Sequence, residues 1–499
     1  MLGTDFRQIA NELLAKRREA GCTFEEFRIF AGKFLPKNSP SKIIHVAGTN
    51  GKGSVCALLE SAYRAAGYKT GLFTSPHLLD LRERIQINRQ LIGKSDFCRI
   101  FLAIKKRERG NLSFFQYLTL IALAYFEECA VEVVILECGV GGRLDSTNIV
   151  HSAAAVITSI SFDHEEILGD TIEDITREKA GIIKPGMAVF TGNMPVAAET
   201  IVAEISKEIG ARLVKISGGV RHFESNLEGD FQGKNAKLAH MVLKDLGEIL
   251  PVSDGAIKRG FATAFWPARN QTVPLKNGSK MILDGAHNWE AIAAQLAHIR
   301  RTVHGNSTTL IFTSTKIRQC EPCFAALEPL FHRIFVTNIS DVDRKISDAL
   351  LRQLADKYAP KGRFIDIKSL AKFLARPESA QPTNLADFGS PNRGASNLIE
   401  PTNLADFTTI SQQIGPIFNS PNGEIASSAA ILTPPANEIF FPTGEQSALP
   451  HSSTHSTNET YFVTGSLLLI GELASLLISE GALNREYFYY PTKTLQNWR

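Results

Sequence analysis

The sequence predicts an α/β protein with two domains, in which a mostly parallel sheet domain is followed by a smaller α/β domain. The chain has 499 residues, more than one ordinary domain contains. Short apolar runs alternate with helix-length segments from residue 42 to about 186, and a second series starts near 281. This alternation is typical of parallel strands joined by crossover helices.

The composition is that of a globular protein without strong charge. Apolar residues make up 44% and charged residues 21%, and 54 basic against 51 acidic residues leave a formal charge of +3. We therefore expect neither nucleic acid nor a membrane surface as a partner. The seven cysteines are odd in number and scattered, which favours free thiols and a cytoplasmic location.

No segment has the properties of a membrane span or a signal peptide. The first 21 residues carry charges in every turn and predict an amphipathic helix that stays on the protein. The most apolar stretches, 112–126 and 466–478, are shorter than the roughly 18 residues that a bilayer requires.

Strands in the first series are expected at 42–48, 68–75, 131–139 and 154–161, and helices at 55–67 and 119–129. The second series has apolar runs at 281–287, 309–314, 333–338 and 461–478. With a junction between residues 255 and 275, we expect domains at 1–270 and 271–499. In such sheets ligands bind beyond the carboxyl ends of the strands.

Residues 377–458 differ from the rest of the chain and predict an insertion in the second domain. They hold ten of the 22 prolines and few charges, with abundant Ser, Asn and Thr. The segment PTNLADF occurs at 382–388 and again at 401–407. Two copies favour a duplicated surface loop over a repeat architecture or a binding module.

The loop at 48–54, GTNGKGS, follows the first strand and opens a helix expected to begin near Ser54. Glycines let backbone N–H groups surround a phosphate, Lys52 adds positive charge, and the helix N-terminus adds its dipole. The spacing is shorter than in the usual P-loop. A glycine-rich turn without a ligand is the alternative.

Three polar residues after later strands are weaker candidates. Glu137 ends a buried strand, where a carboxylate suits Mg²⁺ beside phosphates, although a solvent-facing strand end is equally compatible. His164 lies among acidic residues, which fits a metal site or an acidic loop. The cluster DGAHN, from Asp284 to Asn288, could contact nucleotide or form a helix N-cap.

Two further features carry no chemistry by themselves. The spacing around Lys179 predicts only a surface lysine on a helix. The lone pair Cys320 and Cys323 lacks the four ligands that structural zinc needs, so we assign it no metal.

Together these stretches resemble the folylpolyglutamate synthase and dihydrofolate synthase family of the Mur ligase superfamily. The matching segments cover almost the whole chain except the insertion. They are HVAGTNGKGS, TSPHL followed by ERIQIN, FFQYLTL, LECGVGGRLDSTN, SFDHEEILG, REKAGIIK, WPARN, DGAHN and VTGSLLLIGE. The resemblance implies a Mur-ligase-type domain with a P-loop, followed by a Rossmann-like domain.

The resemblance also implies an ATP-dependent ligase that adds L-glutamate to dihydropteroate and to reduced folates. In that family ATP phosphorylates a substrate carboxylate, and an amine attacks the acyl phosphate. The implied cofactors are ATP and Mg²⁺, and we expect a monomer. Closure of the second domain over the first would exclude water.

Site residues carry over from the family position by position. Catalytic positions are Lys52, Lys179, His164 and Asp145, with Lys179 resembling the family's carboxylated lysine. ATP-binding positions are Gly51, Lys52, Gly53, Ser54, Asn235, Arg269 and Asp284. Metal-binding positions are Ser75, Glu137 and His164, and substrate-binding positions are Phe115, Gln116, Tyr117, Leu144, Asp145 and Ser146.

The chain departs from the family pattern at several positions. Gln116 replaces the usual glutamate, which removes a charge from the expected pterin-binding region, Ala268 replaces a glycine and Trp289 replaces a proline. If Ala268 needs a positive φ, the cost is on the order of 1–2 kcal/mol. The segment TSTKIRQCEP lacks the family's acidic pattern, so the second domain is the more diverged.

Three alternatives remain beside the bifunctional ligase. One is a ligase restricted to one of the two reactions. A second acts on a cell-wall precursor, which the short chain before Gly48 disfavours. The third is a non-catalytic ATP-binding scaffold, which the joint presence of Lys52, Glu137, His164 and Lys179 disfavours.

Overall fold

The computed structural model describes residues 5–18, 21–36, 41–108, 110–216, 225–303, 308–341, 345–376 and 459–489. By its internal contacts the chain divides into two units, one of residues 1–381 and 457–499 and the other of residues 382–456. The expected insertion at 377–458 lies outside the described residues. Within the described part, no helix is long and apolar enough to cross a bilayer.

The first sheet has eight strands in the order β4-β3-β2-β5-β1-β6-β7-β8. All neighbours are parallel except at β3, which pairs antiparallel with both β2 and β4. The strands are β1 Lys42–Ala47, β2 Thr70–Phe73, β3 Ile85–Ile87, β4 Gln90–Leu91, β5 Val133–Glu137, β6 Ala154–Ile157, β7 Ala188–Thr191 and β8 Arg212–Lys215.

Helices cover both faces of this sheet because successive strand residues point to opposite sides. Val134 and Leu136 belong to the apolar cluster that includes α1, α2, α4 and α5, whereas Val133 and Ile135 belong to the cluster of α3, α9 and α10. The helices are α1 Phe6–Ala15, α2 Phe24–Phe34, α3 Lys52–Ala65, α4 Lys94–Arg107, α5 Phe114–Glu128, α6 Glu165–Leu168, α7 Ile172–Ala180, α8 Val196–Ile209, α9 Gln232–Asp245 and α10 Asp254–Ala262.

The second sheet has six strands in the order β13-β12-β11-β14-β10-β9, and only β9 is antiparallel to its neighbour. The strands are β9 Gln271–Pro274, β10 Lys280–Leu283, β11 Thr308–Phe312, β12 Arg333–Val336, β13 Gly362–Phe364 and β14 Thr460–Thr464. The helices are α11 Trp289–Thr302, α12 Ile317–Leu327, α13 Asp348–Tyr358, α14 Ile367–Ala375 and α15 Leu467–Ser479. Thus the strand that follows the insertion lies between β10 and β11, in the middle of the sheet.

Short 3₁₀ helices complete the described secondary structure. They are Lys16–Arg18, Leu81–Arg84, Ser146–Ile149, Leu246–Glu248, Glu328–Leu330 and Arg485–Phe488. None of the seven cysteines is in a disulfide, and Cys320 and Cys323 are buried thiols on α12.

The predicted α/β class with mostly parallel sheets is confirmed, and the predicted strands and helices are found near their expected positions. Two details differ. The helix after the glycine-rich loop begins at Lys52, two residues earlier than expected, and the first sheet continues past residue 186 into β7 and β8. The division into domains at residue 270 stays a prediction.

The connection between α10 and β9 contains Ala268 in a left-handed backbone conformation, with φ of +55°. Its side chain is buried, its carbonyl accepts from Gly285 N, and its N–H donates to Gln271 Oε1. The surroundings therefore fix a conformation that glycine adopts more easily than alanine.

We predict that Ala268→Gly is neutral or stabilising. Relief of the left-handed conformation, on the order of 1–2 kcal/mol, offsets the lost methyl group and the greater freedom of the unfolded chain. Ala264→Gly, at a buried residue of the same connection whose φ is not positive, should destabilise by about 1–2 kcal/mol. Urea unfolding of both variants measures the difference, and equal losses would contradict a strained Ala268.

Candidate functional site

A cleft of about 410 Å³ lies beyond the carboxyl ends of the first sheet's strands. Residues from both sheets line it, as expected for a ligand site of a parallel sheet. Eleven of the predicted site residues are in its lining: Gly51, Lys52, Gly53, Ser54, Ser75, Glu137, His164, Lys179, Asn235, Arg269 and Asp284.

The glycine-rich loop is shaped for close approach of a ligand to its backbone. Gly48 and Gly51 have positive φ values of +141° and +86°. A Cβ on Gly48 would lie 2.1 Å from Thr158 Oγ1, so no side chain fits there. Gly51 precedes α3 and supplies no side-chain cap, which leaves the first N–H groups of the helix for an anion.

Two lysines share one acceptor in this loop. The Nζ atoms of Lys52 and Lys179 donate to the Gly48 carbonyl at 2.9 and 3.1 Å, and Lys52 also donates to Thr49 O at 3.0 Å. Lys179 is only 3% exposed. Burial, together with the charge of Lys52, lowers the pKa of Lys179 to about 7. A large fraction of this amine is therefore neutral at physiological pH.

Glu137 ends β5 as a buried carboxylate beside this positive group. Its Oε2 accepts a hydrogen bond from the backbone N–H of Ser75 at 2.9 Å, which holds the loop after β2 next to it. Burial raises the pKa of Glu137, whereas the charges of Lys52 and Arg269 favour its ionised form. The sequence-based alternative of a solvent-facing strand end is thus wrong for Glu137, which is 3% exposed.

His164 and its neighbour Asp163 lie in the loop after β6. His164 has a left-handed backbone with φ of +55°, and its ring is within 3.5 Å of Glu166 Oε1. Burial lowers the pKa of the His164 ring. The arrangement is compatible with both alternatives, a metal ligand and a member of an acidic loop.

Asp163 joins the two sheets. Lys316 Nζ contacts its Oδ1 at 2.5 Å, and His287 Nε2 lies 3.5 Å from its Oδ2. Burial disfavours the charged carboxylate, but His287, His164 and Lys316 outweigh burial and hold the pKa of Asp163 well below its usual range. Asp163 is therefore ionised at neutral pH.

Other contacts between the sheets are polar and uncharged. The side-chain amides of Asn50 and Asn288 exchange two hydrogen bonds of 3.1 Å each. Asn288 also caps α11 through Ala291 N, so the N-cap that the sequence suggested is present. Trp289, at the position of the family's proline, donates its backbone N–H to Gln319 Oε1.

Asp284 organises the start of the second domain instead of pointing freely into the cleft. It is fully buried, and its two oxygens accept from Asn270 N, Ala286 N and Gln295 Nε2. Burial raises the pKa of Asp284. Asn235 lies beside Gly51, and its neighbour Gln232 donates to Ser54 Oγ at 3.2 Å.

The predicted substrate-binding residues are not in the lining of this cleft: Phe115, Gln116, Tyr117, Leu144, Asp145 and Ser146. Gln116 caps α5 and donates to Cys22 O at 2.8 Å, and Tyr117 is fully buried with its hydroxyl on Glu108.

Asp145, expected to be catalytic, accepts from Gly139 N, Val140 N and both donors of Thr147. These contacts fix the loop after β5. Leu144 is 57% exposed at that loop, and Phe115 lies against Gly139.

Sequence reasoning missed the roles of Asp163, His287, Lys316 and Trp266. His287 stands inside the DGAHN segment and Trp266 inside WPARN, so both segments were noticed without these side chains. Lys316 lies in the segment that no longer resembles the family, and its contact with Asp163 spans 153 positions. No local pattern marks a contact of that separation.

Comparison with known proteins decides the family. Residues 46–241 match the Mur ligase middle domain. The dihydrofolate synthase/folylpolyglutamate synthase of Bacillus subtilis is 32% identical over 326 residues, which cover 59% of this chain and 75% of that protein. The chain belongs to the folylpolyglutamate synthase and dihydrofolate synthase family. The resemblance stated from the motifs is confirmed.

Two further family members differ from this one in sequence identity and in coverage. A putative folylpolyglutamate synthase of Dictyostelium discoideum is 42% identical, but over only 200 residues, which are 38% of this chain and 32% of that protein. A bifunctional folylpolyglutamate synthase/dihydrofolate synthase from Yersinia pestis, complexed with AMPPNP and Mn ion, superposes with a TM-score of 0.68 at 25% identity. The match covers 95% of this chain and 98% of that one, and the predicted Mur-ligase-type fold is confirmed.

The contact of Asp163 with Lys316 gives a prediction about stability. Lys316→Met leaves the buried Asp163 carboxylate without its nearest cation, and Asp163→Asn leaves the half-buried Lys316 ammonium without its carboxylate, so each should destabilise the protein at pH 7. Because they act on one contact, the double variant should lose less than the sum, with a coupling of about 1–3 kcal/mol.

Chemical denaturation of the four proteins measures the Asp163–Lys316 coupling. The control cycle is Glu25→Gln with Arg28→Met, a pair on α2 whose side chains are more than half exposed and whose coupling should lie within error of zero. Since the pKa of Asp163 is depressed, its contribution is present at neutral pH and is lost as the pH falls through that pKa. Strict additivity at pH 7 would contradict the contact.

Proposed function

We propose that this protein joins L-glutamate to dihydropteroate, and to reduced folates, in an ATP-dependent ligase reaction that proceeds through an acyl phosphate. One observation supports this most strongly. A single cleft holds a glycine-rich loop with two lysines, the buried carboxylate of Glu137, and cationic and polar groups from the second sheet. The carboxylate of a substrate is a poor electrophile at neutral pH. A site that binds the phosphates of ATP beside that carboxylate allows its phosphorylation, and phosphate is then the leaving group.

The nucleotide phosphates would lie on the loop at residues 48–54. The first N–H groups of α3 and the ammonium of Lys52 would balance their charge. Asn235, beside Gly51, would contact the nucleotide from α9. Arg269 would reach it from the connection before β9, and Asp284 would act indirectly by holding Asn270 N and Ala286 N in place.

Ser75, Glu137 and His164 would hold Mg²⁺. Among the described residues, no group of three or more His, Cys, Asp or Glu side chains could hold a metal ion by itself, so an ion here would also use phosphate oxygens. That fits Mg²⁺, which commonly uses one or two carboxylates together with substrate phosphates. Glu137 is suitable because it is buried next to Ser75 and near Lys52. When bound, the ion would neutralise charge on the transferred phosphoryl group.

Lys179 would act after reaction with carbon dioxide. Its neutral amine attacks the carbon of CO₂, a C–N bond forms, one C=O electron pair moves to oxygen, and the nitrogen releases a proton. The low pKa of Lys179 supports this step because only the neutral amine is a nucleophile. The resulting carbamate anion would also replace the repulsion between Lys179 and Lys52 with attraction.

The contacts between the sheets would protect the acyl phosphate from water. Asp163 with Lys316 and His287, and Asn50 with Asn288, keep the two sides of the cleft together. Glutamate would enter as the attacking amine, and a cytoplasmic monomer remains our expectation. A ligase limited to one acceptor is the main alternative, because Gln116 serves as a helix cap in place of a charged side chain.

Labelled glutamate incorporation by the purified protein tests the function. With MgATP we expect product from dihydropteroate and from tetrahydrofolate, and none when ATP is omitted. Product from one acceptor alone would select the monofunctional alternative. Lys52→Ala is the matched negative control. No incorporation with either acceptor, despite measurable binding of MgADP, would favour the scaffold alternative.

A second prediction concerns Lys179. We expect Lys179→Ala to lose at least 100-fold in ligation rate, a loss of the order seen when a positioned electrostatic group is removed, with partial rescue by added acetate or formate. The matched control is Lys184→Ala. Lys184 is a half-buried lysine that also has a lowered pKa, but its Nζ contacts the Asn148 and Val150 carbonyls away from the cleft. Near-normal turnover of Lys179→Ala would remove Lys179 from the reaction.

A further inference from the structure

The turn between β3 and β4 has an unusual residue. Asn88 and Arg89 both have positive φ values, +48° and +66°. Two such residues form the type I′ hairpin turn, whose second position strongly prefers glycine because a side chain is crowded there. Arginine is therefore unfavourable for the turn itself. Its side chain must make contacts that a glycine would not provide.

The side chain of Arg89 is buried and points at the connection between the two sheets. Its Nη2 donates to Phe265 O at 2.5 Å, and its guanidinium carbon lies 5.5 Å from the centre of the Trp266 ring. Its Nε lies 3.9 Å from Glu60 Oε2. Arg89 thus contacts the backbone and the ring of two consecutive residues of the connection.

Glu60 helps to orient the side chain of Arg89. It is fully buried on α3, and its Oε1 accepts from Arg64 Nε at 2.9 Å and Thr70 Oγ1 at 2.8 Å. Arg64 and Thr70 fix the carboxylate, and the carboxylate attracts the guanidinium of Arg89. Since α3 is the helix that follows the glycine-rich loop, Arg89 is tied to the element that presents that loop.

Trp266 lies between Arg89 and the glycine-rich loop and contacts both. A Cβ placed on Gly53 would lie 2.5 Å from Trp266 Nε1 and 2.8 Å from its Cε2. The indole edge therefore packs directly against the Gly53 backbone in the first turn of α3. The guanidinium of Arg89 contacts the same Trp266 ring, and Arg269 follows Trp266 three residues later in the chain.

We propose that Arg89 is a positioning residue for nucleotide binding: it holds Trp266 against Gly53 and so fixes the glycine-rich loop and the path of the connection to Arg269. This proposal rests on the proposed function in one respect, namely that the glycine-rich loop binds nucleotide phosphates. A loop that is already ordered loses less conformational freedom on binding, which raises affinity without any contact to the ligand.

The first experiment follows Trp266 directly. The chain has three tryptophans, so the variants are made in a Trp289→Phe/Trp498→Phe background in which Trp266 alone fluoresces. Arg89→Gly suits the turn and should leave the hairpin folded. We expect a red-shifted emission and stronger acrylamide quenching, because the ring loses its cation and gains solvent contact. An unchanged spectrum would overturn the proposed hold on Trp266.

The second experiment measures MgADP binding by calorimetry. We expect Arg89→Gly to raise the dissociation constant about five- to tenfold, and Arg89→Lys to lie between it and wild type, because lysine keeps the charge without the planar stacking. Gln90→Ala is the hairpin control, since it changes the exposed residue that follows Arg89 and leaves Trp266, Glu60 and Thr70 unchanged. Its affinity should match wild type.

The outcomes separate the possible failures. If Arg89→Gly alters the melting temperature but binds MgADP as wild type does, Arg89 serves only the hairpin and the proposal is overturned. If wild type binds no MgADP, the proposed function fails, and preorganisation for nucleotide fails with it. In that case the emission spectra still report whether Arg89 holds Trp266 in place.

Discussion

The carbonyl oxygen of Gly48 accepts hydrogen bonds from the side-chain nitrogens of two lysines, and the rest of the site depends on this close approach. Lys52 comes from the first turn of α3 and Lys179 from α7, so the sheet must bring both helices to the end of β1. Two like charges in a buried position repel strongly. The arrangement is stable only if one lysine loses its proton or anions enter the cleft.

The surrounding groups reduce the repulsion between Lys52 and Lys179. Burial and Lys52 together favour the neutral form of Lys179, and Glu137 supplies one negative charge at the end of β5. The ionised carboxylate of Asp163 also lines the cleft, so negative charge is present at the end of β5 and in the loop after β6. The ammonium of Lys52 and the first N–H groups of α3 concentrate positive charge at the glycine-rich loop, and this part of the cleft is complementary to phosphates.

The sequence predicted the part of the site that depends on topology. Gly51, Glu137 and His164 each lie at or just beyond the end of a predicted strand, and the carboxyl ends of neighbouring parallel strands necessarily meet at one edge of the sheet. The same reasoning predicted the fold, since β-strand and helix periodicities are local. The position of β14 in the middle of the second sheet has no local signal, because strand order depends on pairing between distant segments.

The rest of the site depends on contacts that no local pattern reports. Lys179 has the spacing of a surface lysine, and only the packing of α7 against the loop at Gly142 buries it. Gln116 and Asp145 were predicted as ligand residues, yet their polar atoms are used by nearby backbone groups. A sequence motif identifies which residues a family keeps, but it does not separate those that touch a ligand from those that shape the loop around it.

Backbone strain shows where the fold is most constrained. Six residues other than glycine have positive φ, namely Asn88, Arg89, Ala130, His164, Ala268 and Asn270, among the residues that the structure describes. All but Ala130 lie at the cleft, in the connection between the sheets or in the turn that contacts that connection. Such conformations persist only where many contacts hold them. Their grouping indicates that packing between the two sheets determines the backbone conformation of the connection and overrides the local backbone preferences of these residues. The same packing sets the distance between the glycine-rich loop and Arg269.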